Sequence, residues 1–96
     1  MTRGDTAASL LRELRTKQGR TLRAAASEIG VTPSQLSRME RGERTVGEGT
    51  VSRLSAYYQV PAEVINLSQG QVPEDVVSIL REHPEELARL RNKYRG

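Results

Sequence analysis

The stretch VTPSQLSRMERG, residues 31–42, brings together side chains that could bind a polar or charged partner. Its pattern predicts a short helix on which Leu36 and Met39 point inward and the polar residues share the opposite side. The members of this polar face are Ser34, Ser37, Arg38 and Arg41. Hydroxyl and guanidinium groups form hydrogen bonds with phosphates, carboxylates and nucleotide bases. Taken alone, the pattern also fits an ordinary solvated helix face. The choice between a binding face and a solvated face therefore depends on features elsewhere in the chain.

The chain carries little that could perform covalent chemistry. It has no cysteine and a single histidine, His83, and no base stands near its serines in a plausible dyad. His83 is better interpreted as a joint between two helices than as a ligand. The carboxylates of PEDVV and PEELA, which open two helical segments, are explained by the helix dipole. We therefore expect no enzyme, no metal site and no cofactor.

The charge distribution predicts that the first part of the chain binds a polyanion. The chain has 96 residues, enough for one domain and an appended element. Residues 1–60 contain ten Lys and Arg against six Asp and Glu, whereas residues 61–96 contain five against six. Phe and Trp are absent, which argues against aromatic platforms for single-stranded nucleic acid. With no apolar run of membrane-spanning length, we expect a cytoplasmic protein without a membrane partner.

Helix start and stop signals divide the first 67 residues into five short helices. Asp5 or Thr6 caps the first helix and Gly19 ends it; Thr21 caps the second and Gly30 ends it. The predicted helices lie at about 6–18, 22–29, 33–41, 50–58 and 60–67. The predicted core consists of Leu10, Leu11, Leu14, Leu22, Ala25, Ala26, Ile29, Leu36, Met39, Val51, Leu54, Tyr58, Val64, Ile65 and Leu67. By the same spacing, Tyr57 is expected at the surface.

The third helix has the clearest boundaries. Thr32 is its N-cap, Pro33 suits the first helical position, and Gln35 completes a capping box. Gly42 is predicted to end the helix. Only a tight turn fits between the second and third helices, so the two must form a compact pair that meets at a steep angle.

The C-terminal part is predicted as a linker, residues 68–72, followed by two helices within residues 73–96. The best linker residues are 68–71, and Pro84 separates segments 74–83 and 85–94. The apolar stripes of these helices contain Val76, Val77, Leu80, Leu87, Leu90 and Tyr94. They could cover the domain itself or pair with a second copy, and we favour a homodimer.

The pattern of the first two-thirds of the chain resembles a known family. The stretches LRELRTKQGRTLRAAASEIGVTPSQLSRMERGERT and LSAYYQVPAEVI carry the resemblance, which extends over residues 8–67. They are similar to the phage-repressor and Cro-like helix-turn-helix family, also called the xenobiotic-response-element family. The resemblance implies an all-α, lambda-repressor-like DNA-binding domain of five helices in residues 1–67.

The resemblance also implies a role for individual residues. The helix at 33–41 is the expected recognition helix in the major groove. Expected base contacts are Pro33, Ser34, Ser37 and Arg38; expected phosphate contacts are Thr21, Arg23, Thr32, Gln35, Arg41, Arg44 and Thr45. Arg15 and Glu40 match a family ion pair that joins the first helix to the third. Leu22 departs from the family pattern, which has an amide side chain there, so one phosphate or base contact is missing.

Together these features predict a sequence-specific, double-stranded DNA-binding transcriptional regulator that acts as a repressor. A homodimer is expected because one helix-turn-helix unit reads too few base pairs to be selective. The alternative is a protein-interaction module, such as an antitoxin or an anti-repressor, whose acidic segment 74–86 binds a partner protein. The two roles can coexist.

Overall fold

The computed structural model describes residues 6–95, and in that range the chain consists of seven α-helices without a strand. The helices are α1 Ala7–Gln18, α2 Leu22–Ile29, α3 Pro33–Glu40, α4 Glu48–Tyr58, α5 Ala62–Ser68, α6 Glu74–Glu82 and α7 Glu85–Arg95. α1 to α5 pack around one core, and α6 and α7 follow as a separate pair. The predicted all-α fold class, a five-helix domain with two further helices, is confirmed.

Local capping chemistry explains where the first helices begin and end. The Thr6 hydroxyl oxygen accepts a hydrogen bond from the Ser9 N–H at 3.2 Å, which makes Thr6 the N-cap of α1. Asp5, the alternative N-cap, lies outside the described residues. Gly19 and Gly30 end α1 and α2 with φ angles of 71° and 97°, in the left-handed region that favours glycine. The caps predicted for these two helices are thereby confirmed.

The turn between α2 and α3 is tight and internally satisfied. Gly30, Val31 and Thr32 connect the helices, and the N–H groups of Gly30 and Val31 both donate to the Ala26 carbonyl. Ala25 and Ala26 are fully buried, and their small side chains let a neighbouring helix come close. This is the helix pair that the sequence predicted.

The core is aliphatic apart from one tyrosine. Its buried side chains are Leu11, Ala25, Ala26, Ile29, Leu36, Met39, Val46, Val51, Leu54, Tyr58 and Ile65. Tyr58 is buried as predicted, whereas Tyr57 is half-buried and packs against the core, edge-on to the Tyr58 ring at 4.9 Å between centroids. Leu10, Leu14 and Leu22 lie at the margin of the core.

The prediction that three residues of α5 close the core was wrong for two of them. Ile65 is fully buried, but Val64 and Leu67 are 41% and 52% exposed. On a short helix only about one residue per turn points at the core, and neighbours one or two positions away are rotated by 100° or more. Val64 and Leu67 therefore lie on the outer sides of α5.

The boundaries of α3, α4 and α5 differ from the predicted ones. α5 was expected at 60–67 but runs from Ala62 to Ser68, because Val60 precedes Pro61 and is disfavoured in helical geometry; Ser68, assigned to the linker, is its last helical residue. α3 ends at Glu40, and its C-cap is Arg41 in right-handed geometry; Gly42 follows with φ 75°. α4 begins at Glu48, earlier than predicted, behind Gly47, which provides no side-chain cap. Glu48 in the first turn suits the positive end of the helix dipole, which explains the extension.

The C-terminal helices α6 and α7 do not cover the core, and they lengthen the molecule. No residue of α6 or α7 is buried, and the described chain measures 45 × 26 × 23 Å along its principal axes. His83 has φ −134° and ψ 66°, so the helix is interrupted before Pro84, as predicted. Of the apolar stripes, Val77 and Leu80 are half-buried, while the other members, Val76, Leu87, Leu90 and Tyr94, are exposed, as is the neighbouring Ile79. These exposed side chains argue against the alternative in which the stripes cover the domain itself.

Candidate nucleic-acid interface

The outer face of α3 is polar and accessible. Pro33, Ser34 and Arg38 are exposed and Ser37 is half-buried on the same helix. On the opposite side Leu36 and Met39 are inserted in the core, at 0% and 3% exposure. The helix is thus held by its apolar side while its hydrogen-bonding side faces solvent. This is the geometry that entry into a DNA groove requires.

The N-terminus of α3 is closed by the predicted capping box. The Gln35 N–H donates to the Thr32 hydroxyl oxygen at 3.0 Å, and the Thr32 N–H donates to the Gln35 side-chain oxygen at 2.9 Å. The Thr32 hydroxyl oxygen acts as an acceptor here, so its proton remains able to reach a phosphate. The Gln35 side-chain oxygen is occupied, but its NH₂ group still has donors to offer.

The C-terminus of α3 is tied to α1 by two arginines. The Arg15 guanidinium donates to both carboxylate oxygens of Glu40, at 2.8 Å from Nε and 3.0 Å from Nη2. This two-bond contact fixes orientation as well as distance. Arg12 adds a hydrogen bond to the Glu40 carbonyl at 2.6 Å, at the negative end of the helix. Arg12 was missed from the sequence, although it lies one turn before Arg15 on the same side of α1.

Tyr58 lies in the electrostatic environment of this ion pair. Its hydroxyl is buried without a hydrogen-bond partner. Burial, with the nearby negative charge of Glu40, raises the pKa of Tyr58 to about 12. The hydrogen bond to Glu40 likewise raises the pKa of Arg15. The Tyr58 phenol is therefore neutral at neutral pH and lies beside the Arg15–Glu40 ion pair.

The start of α2 offers a second set of donors. The Thr21 hydroxyl oxygen accepts from the Ala24 N–H at 3.1 Å, and Arg23 is exposed in the first turn of the helix. A helix N-terminus with free N–H groups and a nearby arginine is suited to a phosphate. Leu22, the departure from the family pattern, is half-buried and packs against the core. Here the position serves packing and contributes no polar contact.

The loop between α3 and α4 carries the remaining cationic candidates. Arg41, Arg44 and Thr45 are exposed, while Val46 is inserted in the core. Arg41 approaches Glu43 at 3.5 Å in an exposed ion pair, which contributes little to stability. Val46 also forms two backbone hydrogen bonds with the Gln69 side chain. Gln69 falls in the predicted linker, so the linker is attached to the domain at its first residues.

Two further contacts hold α4 against α2. The Arg53 guanidinium donates to the Gly30 carbonyl at 2.9 Å, which satisfies the C-terminus of α2. The Tyr57 hydroxyl donates to the Glu28 carboxylate, and Arg20 pairs with the same carboxylate at 3.4 Å. The sequence pattern contained no signal for these contacts, because each joins elements that are distant along the chain.

Residues 6–95 contain neither a metal-binding cluster nor a membrane-spanning helix. The acidic and histidine side chains in this range form no group of three or more that could hold a metal ion. None of the seven helices is long and apolar enough to cross a bilayer.

A tightly connected helix pair, packed on three further helices and presenting a polar outer face on its second member, defines a helix-turn-helix domain. A helix-turn-helix family model matches residues 11–65, more than half of the chain. The chain therefore belongs to this helix-turn-helix family of DNA-binding regulatory domains, and the resemblance to Cro-like and xenobiotic-response-element proteins is confirmed. Neither a curated protein nor a solved structure gave a significant match.

Proposed function

We propose that the protein is a sequence-specific regulator that reads the major groove of double-stranded DNA with α3. The observation that carries this proposal is the exposed polar face of α3, a helix whose N-terminus is capped, whose Leu36 and Met39 are buried in the core, and whose C-terminus is tied to α1 by the Arg15–Glu40 pair. An anchored helix binds without the entropy cost of ordering, so its side chains can discriminate between base pairs.

The proposed contacts divide into two groups. Ser34, Ser37 and Arg38, with Pro33 beside them, contact base edges, and Arg38 forms two hydrogen bonds with a guanine. The phosphate contacts are assigned to the flanking donors, which fix the register on the duplex. These are Thr21, Arg23, Thr32, Gln35, Arg41, Arg44 and Thr45. We propose further that binding represses transcription by occupying the operator, and that the protein works in the cytoplasm.

The proposed assembly is a homodimer formed through α6 and α7. Exposed apolar side chains at this density on two helices favour burial against a partner. α7 has Glu85 and Glu86 in its first turn and Lys93 and Arg95 in its last. In an antiparallel pair of α7 helices, the acidic turn of each copy faces the basic turn of the other. This charge complementarity favours a second copy as the occupant, and a two-fold pair presents two recognition helices to DNA.

Selection of duplex DNA from a random library at moderate and then higher salt tests the function. We expect enrichment of a two-fold symmetric site with half-sites about 10 base pairs apart. Enrichment of a single half-site would retain sequence-specific binding and remove the dimer from the proposal. Binding that shows no sequence preference and disappears with salt would reduce the activity to nonspecific charge attraction and contradict the proposal.

Replacement of Leu90 by aspartate tests the dimer. We expect sedimentation equilibrium to show a dimer for the original chain and a monomer for Leu90→Asp, because the new charge would be desolvated in the interface. Asn92→Asp is the matched control: it adds the same charge on the opposite side of α7 and should remain dimeric. A monomeric original chain would remove the dimer from the proposal. A stable complex of residues 74–86 with an unrelated protein, together with no DNA affinity of the full chain, would favour the interaction-module alternative.

A further inference from the structure

The side chain of Gln69 forms a two-point contact with the loop between α3 and α4. Its side-chain oxygen accepts from the Val46 N–H at 2.8 Å, and its Nε2 donates to the Val46 carbonyl at 3.2 Å. Gln69 itself is the C-cap of α5 and is half-buried. Both backbone polar groups of Val46 are therefore satisfied by one residue 23 positions away.

The position of this contact in the loop is what gives it importance. Arg44 and Thr45 directly precede Val46 and are exposed. The loop is bounded by Gly42, with a φ of 75°, and Gly47, which caps α4 without a side-chain hydrogen bond. Since glycines at both ends leave the backbone free to rotate, the loop depends on Val46 for its placement. The buried Val46 side chain fixes how deep the loop lies against the core, and the Gln69 side chain fixes the direction of the Val46 peptide groups.

We propose that Gln69 is a positioning residue for DNA binding: it holds the loop so that Arg44 and Thr45 meet the phosphate backbone. This inference rests on the proposed function. The residue type agrees with it, because a primary amide offers a donor and an acceptor at once. Glutamate would keep the acceptor for the Val46 N–H but would place a negative charge against the Val46 carbonyl, and alanine would remove both bonds.

A purely structural role for Gln69 is distinguished from a positioning role by a double-mutant cycle. If Gln69 acts through Arg44 and Thr45, its removal should matter much less when Arg44 is absent, because only the uncharged Thr45 contact is then left to lose. If Gln69 merely stabilises the fold, its effect on DNA binding should be the same with or without Arg44. The slope of log K against log salt gives an independent reading, because each phosphate contact contributes about 0.9 to it.

The experiment compares the full chain with Gln69→Ala, Arg44→Ala and the double variant on the selected DNA site. We expect Gln69→Ala to weaken binding about tenfold, the effect of losing a charge-assisted contact, and to lower the salt slope by about one. Adding Gln69→Ala to Arg44→Ala should change the affinity by no more than about threefold, because only the neutral Thr45 contact is left to lose. Gln71→Ala, an exposed glutamine two positions away, is the matched control and should bind like the original chain.

Stability and local order are measured in parallel. Thermal unfolding reports whether Gln69→Ala remains folded at the temperature of the assay, and Gln69→Glu replaces it if it does not. Amide hydrogen exchange of the Val46 N–H should become faster in Gln69→Ala, because its acceptor is lost, and in Gln69→Glu, because repulsion between the carboxylate and the Val46 carbonyl disrupts the two-point contact.

The outcomes separate this inference from the proposed function. If the original chain does not bind duplex DNA specifically, the proposed function fails and the inference fails with it. If the original chain binds and the effects of Gln69→Ala and Arg44→Ala add, or if Gln69→Ala leaves affinity and salt slope unchanged, the positioning role is overturned while DNA binding stands.

Discussion

Replacement of Arg15 by methionine should lower the free energy of unfolding by about 3 kcal/mol, the lower end of the range for removing one member of a buried ion pair. The side chain of Glu40 is only 5% exposed, so without Arg15 its carboxylate is left with little solvent. Glu40→Gln should cost less, because the Arg15 side chain is 20% exposed and can recover some hydration. Urea unfolding followed by circular dichroism measures both variants.

The comparison with other variants makes this prediction specific to the ion pair. Arg15→Met combined with Glu40→Gln should cost less than the sum of the single changes, because neither charge is then stranded. Arg53→Met is the matched control: it removes an exposed arginine that forms one hydrogen bond with a carbonyl, and should cost about 1 kcal/mol. An Arg15→Met variant no less stable than Arg53→Met would show that the pair does not hold α3.

Replacement of Arg38 by alanine should weaken binding to the selected DNA site by about 10- to 100-fold, which corresponds to one lost two-bond contact with a guanine. Stability should change little, because Arg38 is exposed. The decisive feature is selectivity: the variant should lose its preference at one base pair of each half-site. Fluorescence anisotropy with the selected duplex and with single base-pair changes measures this.

Arg23→Ala supplies the contrast, since Arg23 is assigned to a phosphate. That change should weaken binding to all sequences alike and lower the salt slope by about one, with the base preference intact. If Arg38→Ala behaved in the same way, Arg38 would be a phosphate contact and the proposed reading by α3 would be wrong.

The local parts of the fold were predictable because capping and turn chemistry act over a few residues. The capping box of Thr32 and Gln35 and the left-handed glycines at 19 and 30 were all correctly placed. Apolar periodicity was a less reliable guide at α5. It predicted Val64 and Leu67 as core residues, but the packing leaves both exposed. A short helix has too few turns for its apolar pattern to specify one buried side.

The candidate site was predictable only in outline. The polar face of α3 follows from its helical period, and the family resemblance points to Arg15 with Glu40 as a pair. Arg12 was not expected to reach the Glu40 carbonyl, and nothing in the pattern singled out Gln69. Both contacts connect segments that are more than 20 positions apart, so local pattern carries no information about them.

Sequence alone thus specifies the helices, the tight turn between α2 and α3, and the division of α3 into an apolar and a polar side, because each depends on backbone geometry and near neighbours. The tertiary packing decides which of several chemically equivalent arginines form hydrogen bonds within the protein. Arg12, Arg15 and Arg53 donate hydrogen bonds to helix C-termini or to a buried carboxylate, whereas Arg23, Arg38 and Arg44 form no side-chain hydrogen bond or ion pair within the described residues. The reason is that a guanidinium forms an internal hydrogen bond only where folding brings an acceptor within reach.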